Sequence, residues 1–356
     1  MRGEFIDVNG ARLYYYAAGT RGSGEPVVFL HGFPTSSHLW TEVVPLVPKG
    51  HRVVVVDLLG YGRSDRPASR DVSVRGHADR VIGLLDALSI NYACIVGHDV
   101  GGGIGQTLAV RYPTRVSRLM LVNSVGFDLW PGREVKVARA MLPLTRHLPA
   151  TWLLSILRTD LMRGYLTSDR GAHSIEMYVR PFSSPEGRDA LVDHMMSLDA
   201  TETKAIEPRL KDIVAPTAIL WGAEDPFLPV AIGRRLNAEI PGSTFAVVPE
   251  MRHFTPEEAP EKVADVLTEL LARFGLANEA LKAQLYEEAA QHLRVYLDSH
   301  EDEGNGYGRL AEALIRLERI DEAKAALREG IEASRRFGHP GMVNEFEARL
   351  EELEGE

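Results

Sequence analysis

The 356-residue sequence has a single cysteine, Cys94, so no disulfide can close within the chain. Cys94 lies in an apolar run, where a lone thiol packs as a small hydrophobe. There is no cysteine pair and no His-Glu-X-X-His segment, so a metal centre would lack its usual ligands. Glycines 101 to 105 lack the spacing of a dinucleotide fingerprint, and no Lys-Ser or Lys-Thr follows them to make a phosphate loop. No cofactor and no metal are therefore expected. Long hydrophobic runs are also missing: nowhere do about 18 apolar residues pass without a charge. The opening MRGEFIDVNGARLYYY has no apolar segment of the signal-peptide kind. The expectation is a cytoplasmic protein with no membrane partner. Nor is there an excess of positive charge, since Asp and Glu number 50 against 40 Lys and Arg. The net charge is −10, which argues against a nucleic-acid partner, since that requires a concentrated basic face.

What is present is a globular composition, 45 % hydrophobic and 25 % charged, with room for one large domain or two unequal ones. Phe5 to Tyr16 alternates around Asn9-Gly10, the signature of a tight hairpin. Short apolar runs then recur at Val27–Leu30, Val53–Val56, Ala93–Val96, Leu119–Val122, Ala218–Trp221 and Phe245–Val248, separated by helical patterns. Runs this apolar suit strands covered on both faces, the mark of a mostly parallel α/β sheet. Residues 126–210 interrupt the alternation with helical spacing and no strand-like run, which predicts an inserted helical cap over the strand ends. The core is thus expected in 1–125 and 211–275. Val263 to Phe274 reads as its last helix, broken by Gly275.

Residues 276–356 hold 19 acidic and 10 basic residues, so nearly all of the net negative charge lies there, and they show only helical periodicity. Shifted by 34 residues, this region matches itself at Leu276/Leu310, Ala277/Ala311, Glu288/Glu322, Ala289/Ala323 and Leu293/Leu327. That period belongs to helix-turn-helix repeats whose small residues let paired helices approach. The segment around Tyr307, Leu310, Ala311, Leu314, Ala323 and Leu327 resembles a tetratricopeptide repeat. Two such units fall short of the number that usually stands alone, so the tail is expected to dock, whether on the first domain, on another copy of the chain or on a protein partner.

The chemistry concentrates in CIVGHDVGGGIG, residues 94–105, where an apolar run ends in Gly97-His98-Asp99-Val100-Gly101. A strand, a glycine-flanked acid and a helix have the form of a nucleophile elbow, which lifts residue 99 into an exposed, strained turn. An elbow needs a base and an acid to orient it. His253 in VVPEMRHFTPEE follows the last strand-like run, and Asp225 in ILWGAEDPFLP follows the fifth, giving the order nucleophile, acid, base. Glu224 competes with Asp225 for the acid. The amides of Phe33, in VFLHGFPTSSHLW, and of Val100 would complete an oxyanion hole. His31 and His98 are read as structural, and Trp40, Trp130 and Trp221 as core or pocket lining.

Several stretches together, His31-Gly32-Phe33-Pro34, DLLGYGRSDRP from Asp57 to Pro67, His98 to Gly102, Trp221-Gly222 with Asp225, and His253-Phe254, resemble the α/β-hydrolase family. Within it they are most similar to the branch of epoxide hydrolases and haloalkane or haloacetate dehalogenases. The resemblance covers residues 1–275 and implies an eight-stranded sheet, a helical cap, and hydrolysis through a covalent ester on Asp99 with no cofactor.

An aspartate nucleophile suits particular substrates. It is ionised near neutral pH and needs no base to attack. On a carbonyl it would form an anhydride that reverts, whereas on saturated carbon bearing a leaving group it forms a stable alkyl ester. A small molecule with an electrophilic carbon is therefore expected. A halide needs N–H donors, yet Phe33 and Val100 stand where the resemblance would put Asn and Trp in haloalkane enzymes, and Val100, Gly103 and Gln106 do not supply the arginines of haloacetate enzymes. An epoxide needs a hydroxyl donor, for which Tyr165 and Tyr178 are the tyrosines of the inserted segment; Trp152 or His147 could serve a halide. The reading favours an epoxide hydrolase over a dehalogenase. The alternative from another class is a catalytically idle scaffold that presents the helical tail as an interaction module.

Overall fold

The computed structural model describes residues 3–19, 25–66, 71–145, 149–282, 284–299, 302 and 304–354. Eight strands, β1 (Glu4–Val8), β2 (Ala11–Ala18), β3 (Val27–Leu30), β4 (Val53–Val56), β5 (Ala93–Asp99), β6 (Val116–Ser124), β7 (Thr217–Gly222) and β8 (Thr244–Val248), form one sheet in the order β1-β2-β4-β3-β5-β6-β7-β8. The β1-β2 and β2-β4 pairs are antiparallel and the others parallel. This is the α/β-hydrolase fold that the residues suggested. The hairpin turns where Asn9 and Gly10 both take positive φ, 54° and 75°, as a two-residue turn between twisted strands requires. Strands β3 and β4 are buried along their whole length. Their Val-Val-Phe-Leu and Val-Val-Val-Val runs fit there because both sheet faces are dry.

The helices of this first unit are α1 (Val74–Ala87), α2 (Val100–Arg111), α3 (Arg133–Thr145), α4 (Ala150–Met162), α5 (Ser168–Val179), α6 (Pro185–Ser197), α7 (Thr201–Ile206), α8 (Val230–Glu239), α9 (Thr255–Glu258) and α10 (Pro260–Lys282). Helices α3 to α7 lie in the segment between β6 and β7. Helix α2 packs on β5 and β6 at very short range because it begins with glycines. A Cβ on Gly101 would collide with the Leu30 and His31 carbonyl oxygens, and one on Gly102 with the Ser124 side chain. Gly101→Val should lower unfolding free energy by at least about 2 kcal/mol, because backbone carbonyls cannot step aside as a side chain can; urea denaturation of the purified variant measures it.

Two compact units are present, Met1–Thr268 and Glu269–Glu356, and the division falls inside α10. The expected break at Gly275 is corrected: α10 runs through it to Lys282. A single helical glycine costs only about 1 kcal/mol, which neighbouring turns absorb. The second unit contains α11 (Tyr286–Ser299), α12 (Asn305–Arg316), α13 (Ile320–Phe337) and α14 (Pro340–Glu354), each packed on the next. Small and large residues alternate in its core: Ala289, Leu293, Ala311, Leu314, Ala323 and Leu327 are buried together with Phe346. Helices α12 and α13 lead and end by local signals. The Asp302 carboxylate accepts the amides of Gly304 and Gly306 at 2.8 and 2.9 Å, and Gly338 closes α13 in the left-handed region.

Among the described residues no helix is long and apolar enough to cross a membrane.

Candidate active site

Strand β5 ends at Asp99, and α2 begins at the next residue. Asp99 has φ 52° and ψ −120°, a conformation that costs a non-glycine residue about 1–3 kcal/mol and persists where its surroundings enforce it. The surroundings do so through close backbone. A Cβ on Gly97 would meet the Gly101 and Gly102 backbone, and one on Gly32 would meet the Asp99 carboxylate itself. The turn therefore needs glycine at 32, 97 and 101.

The Phe33 amide donates to Asp99 Oδ2 at 2.9 Å, and the Val100 amide also bonds the carboxylate. Burial pushes the Asp99 carboxyl up to about 6, against the pull of His253 and of these two amides. His253 and Asp225 share the same corner. The Asp225 side chain is fully buried, and its Oδ2 lies 2.8 Å from His253 Nδ1. Its remaining lone pairs accept the amides of Phe227 and Leu228 at 2.8 and 3.0 Å and the Asn123 side-chain amide at 2.8 Å. Burial raises the Asp225 carboxyl, but His253 and these donors outweigh it and hold it below the usual carboxylate range. For His253 burial opposes charge, while Asp225 and then Asp99 stabilise the imidazolium, so its pKa lies above that of a free imidazole.

Asp99, Asp225, His253 and the amides of Phe33 and Val100 are thus brought together, with the acid holding the Nδ1 edge of the imidazole and leaving Nε2 for chemistry. Glu224 is about half exposed and faces Arg252 at 4.0 Å, while the His253 bond goes to Asp225. Two residues beyond those singled out in the sequence support the arrangement. Asn123, next to last in β6, has φ 43°, donates to Asp225 and accepts from the Thr255 hydroxyl at 2.9 Å, so one side chain ties Asp225 to the segment following His253. His98, read as structural, bonds the His253 carbonyl through Nε2 at 2.9 Å, and its imidazole is held neutral, with a pKa near 3, by burial and by the adjacent His253. His31 accepts the Leu58 amide at Nε2, which leaves Nδ1 to donate to the Gly32 carbonyl; both distances are 2.9 Å. It shapes the turn that presents Phe33. The signal for Asn123 was available in principle, as a polar residue ending an otherwise apolar strand run.

The cap residues proposed as leaving-group donors require correction. The Tyr165 hydroxyl donates to Glu257 at 2.9 Å, and the Tyr178 hydroxyl donates to the other oxygen of the same carboxyl. Neither lines the cavity at Asp99. The cause is the burial of Glu257, whose carboxyl is pushed up to about 7 by desolvation and offset by the hydroxyls of Tyr178, Ser174 and Tyr165. A buried carboxyl without donors is costly, and the two phenols are the donors within reach. Trp152 is 65 % exposed and also absent from the cavity, and His147 lies outside the described residues. Of the tryptophans, Trp130 lines the cavity but its indole N–H is committed to the Thr203 hydroxyl at 2.8 Å; Trp40 and Trp221 are core residues.

The cavity at Asp99 has a volume of about 80 Å³ and is walled by Phe33, Val125, Trp130, Leu161, Phe227 and His253. Phe33, Val135, Leu157 and Asp160 also border a second cavity of about 320 Å³ lined by leucine, isoleucine and methionine side chains of the cap. The room next to the carboxylate is small and leads into apolar space. Among the described residues no cluster of three or more potential metal ligands occurs.

An acid and an imidazole with these shifts fix a pH dependence. A nucleophile at Asp99 would act only when ionised, and the second-order rate constant of that step should then fall about tenfold per pH unit once pH drops below about 6. A kcat/KM profile between pH 4.5 and 8 with a non-titrating substrate checks this, taking that range as about two units either side of the shifted pKa.

Residues 25–260 match the family described as alpha/beta hydrolase fold. The 2-hydroxymuconate semialdehyde hydrolase of Pseudomonas sp. (strain CF600) is 30 % identical over 272 residues, 70 % of this chain and 88 % of that protein. The cis-3-alkyl-4-alkyloxetan-2-one decarboxylase of Shewanella oneidensis is 28 % identical over 286 residues, covering 73 % and 85 % of the two chains. Among solved structures, the enol-lactonase from Burkholderia xenovorans LB400 superposes with a TM-score of 0.65 at 25 % identity, over 75 % of this chain and 99 % of the other.

Proposed function

The chain belongs to the alpha/beta hydrolase fold family, and we propose that within it the protein cleaves substrates bearing an electrophilic saturated carbon, through a covalent alkyl ester on Asp99. The observation that carries this reading is the 2.9 Å hydrogen bond from the Phe33 amide to an oxygen of Asp99 itself. When the nucleophile is a serine, the oxyanion belongs to the substrate. When it is a carboxylate, the oxyanion arises later, on the enzyme's own ester, as water adds to the Asp99 carbonyl carbon. Amides already seated on Asp99 are where that charge will develop.

In the first step an Asp99 oxygen bonds to the substrate carbon, and the bond to the leaving group breaks with its electron pair. In the second, His253 takes a proton from water, which adds to the ester carbon. The intermediate then collapses, the alkoxide departs, and His253 returns the proton to it. Asp225 holds the imidazole in the tautomer this requires.

The leaving group follows from the donors. With Tyr165 and Tyr178 held by Glu257 and the Trp130 indole held by Thr203, the described cavity wall offers an opening epoxide or a halide no uncommitted side-chain donor other than the His253 imidazole. A leaving group that departs as a stabilised anion needs none. Attack on the ring carbon of an oxetan-2-one breaks the carbon–oxygen bond and releases a carboxylate that stays attached through the rest of the ring. The apolar cavity that adjoins the one at Asp99 suits alkyl substituents, and the Shewanella relative acts on a ring of this type by name. We therefore place small alkyl-substituted cyclic esters first among substrates and epoxides second.

A single turnover in ¹⁸O water tests the mechanism. The label should enter the peptide containing Asp99, because water oxygen joins the carboxyl while an Asp99 oxygen leaves with the product. Label found only in product would mean direct attack by water and would end this reading. Assay of an alkyl-oxetan-2-one beside a simple alkyl epoxide then ranks the two classes, and faster turnover of the epoxide reverses the order proposed.

A further inference from the structure

A cavity of about 500 Å³ shares no lining residue with the one at Asp99. Among the described residues three guanidinium groups border it: Arg63 and Arg66, from the loop after β4, and Arg180, just beyond the end of α5 in the inserted segment. The one carboxylate in its wall, Asp57, already accepts the amides of Ser37 at 2.7 Å and Arg63 at 2.8 Å. The wall therefore carries two more positive than negative side chains. His38, also in the wall, adds no charge, since burial and the neighbouring His173 lower its pKa below the usual value.

Polar groups here lack partners. The Tyr16 hydroxyl belongs to a side chain 7 % exposed, and neither it nor the buried Nε of Arg66 has a hydrogen-bond partner among the described residues. Buried polar atoms of this kind are rare in folded proteins and call for a cause. The Tyr14 hydroxyl accepts from Arg63, and the Ser36 hydroxyl accepts from the His38 amide, so both keep an O–H to donate. Structural reasons account for part of the cluster: Arg63 stacks over the Tyr14 ring at 4.6 Å, and Arg66 donates to the Gly62 carbonyl. They account for neither Tyr16 nor the Nε of Arg66. They also leave Arg180, which lines the same cavity, unexplained.

We propose that this cavity is a binding site for the phosphomonoester group of a small organic molecule. A phosphomonoester carries about −1.5 to −2 charges and three strong acceptor oxygens, which matches the surplus of positive charge and the hydroxyl and guanidinium donors. Guanidinium forks favour such planar, multidentate recognition. The volume exceeds a bare phosphate and leaves space for the organic part. Since Arg63 and Arg66 sit on the sheet-side loop and Arg180 on the inserted segment, a bound phosphate ties the two together. Ser36 and Ser37 directly follow the Phe33 turn, so occupancy also steadies the amide that holds Asp99.

Calorimetric titration and thermal melts of the full chain with glycerol 3-phosphate test the site, with glycerol as the uncharged control at constant ionic strength. Saturable binding with a dissociation constant of about 0.1–1 mM is expected, together with a raised melting temperature and weakening in added salt. Arg66→Gln and Arg180→Gln should each lose affinity about tenfold. Arg180 is exposed, so its substitution leaves a folded protein, as circular dichroism would verify. Asp99→Asn should bind as wild type does, which separates this site from the fate of the catalytic reading. No saturable binding of glycerol 3-phosphate, or binding unaffected by both arginine substitutions, overturns the site. Equal affinity for succinate overturns the assignment to phosphate.

Discussion

Asp99→Asn is expected to cut kcat/KM by at least about 10⁴-fold while leaving a folded and more thermostable protein. Asparagine keeps the shape of the side chain, tolerates the positive φ of this corner better than most residues, and still offers an oxygen to the Phe33 amide. It cannot form the ester. The stability change follows from linkage. Burial raises the Asp99 carboxyl from near 4 to about 6, so between those values the folded state binds more protons than the unfolded one, and stability falls as pH rises through that window. Above about pH 6 the full cost of the buried charge is present, and its removal should stabilise the protein by about 1–3 kcal/mol. Thermal melts at pH 8 should show the variant above wild type, with the gap closing as pH approaches 4, where both forms are uncharged. A variant that retains activity, or one less stable than wild type at pH 8, would contradict the role given to this carboxylate. Groups strained or desolvated for chemistry commonly carry such a cost.

His253→Gln should stop the second step and spare the first. On the mechanism proposed above the carboxylate attacks unaided, so the ester should form; without the imidazole to activate water, its release should slow by about 10²–10⁴-fold. Intact mass spectrometry after quenching should reveal a stoichiometric adduct. Its mass identifies the substrate class. Opening of a cyclic ester or an epoxide adds the mass of the whole molecule, whereas displacement of a halide adds the substrate less the hydrogen halide. An adduct-free protein with unreacted substrate would mean that His253 is needed for attack, which is the behaviour of a serine-type mechanism and not of a carboxylate. An alternative exit is also distinguishable. If the ring-opened ester loses carbon dioxide and expels Asp99 to give an alkene, turnover persists in His253→Gln, because no water is consumed.

Much of this arrangement was legible in the chain because it rests on local rules. Apolar runs of four residues read as strands covered on both faces, and β3 and β4 are buried throughout. The Asn9-Gly10 turn and the glycines flanking Asp99 are backbone requirements visible at single positions. Asp225 and His253 stood out because each follows a strand-like run, where side chains gather at the ends of a parallel sheet. Other features were misread or missed for equally physical reasons. Gly275 looked like a helix end, but one glycine is too weak a signal to stop a helix whose neighbours all favour continuation. Asn123 was overlooked because its importance lies in partners 102 and 132 residues away.

The amino-acid order alone determined the α/β sheet, the corner at Asp99, the placing of Asp225 and His253 after strand-like runs, and a helical tail of distinct charge. Each of these follows from periodicity or from a turn that only certain residues can make. The tertiary structure alone decided where the cap tyrosines point and what surrounds Arg66. Hydrogen-bond partners of buried side chains are selected by whatever donors and acceptors packing brings near, and Glu257 captured Tyr165 and Tyr178 across 92 and 79 residues of chain. No spacing rule encodes that competition, since desolvation acts on the assembled site and not on the sequence.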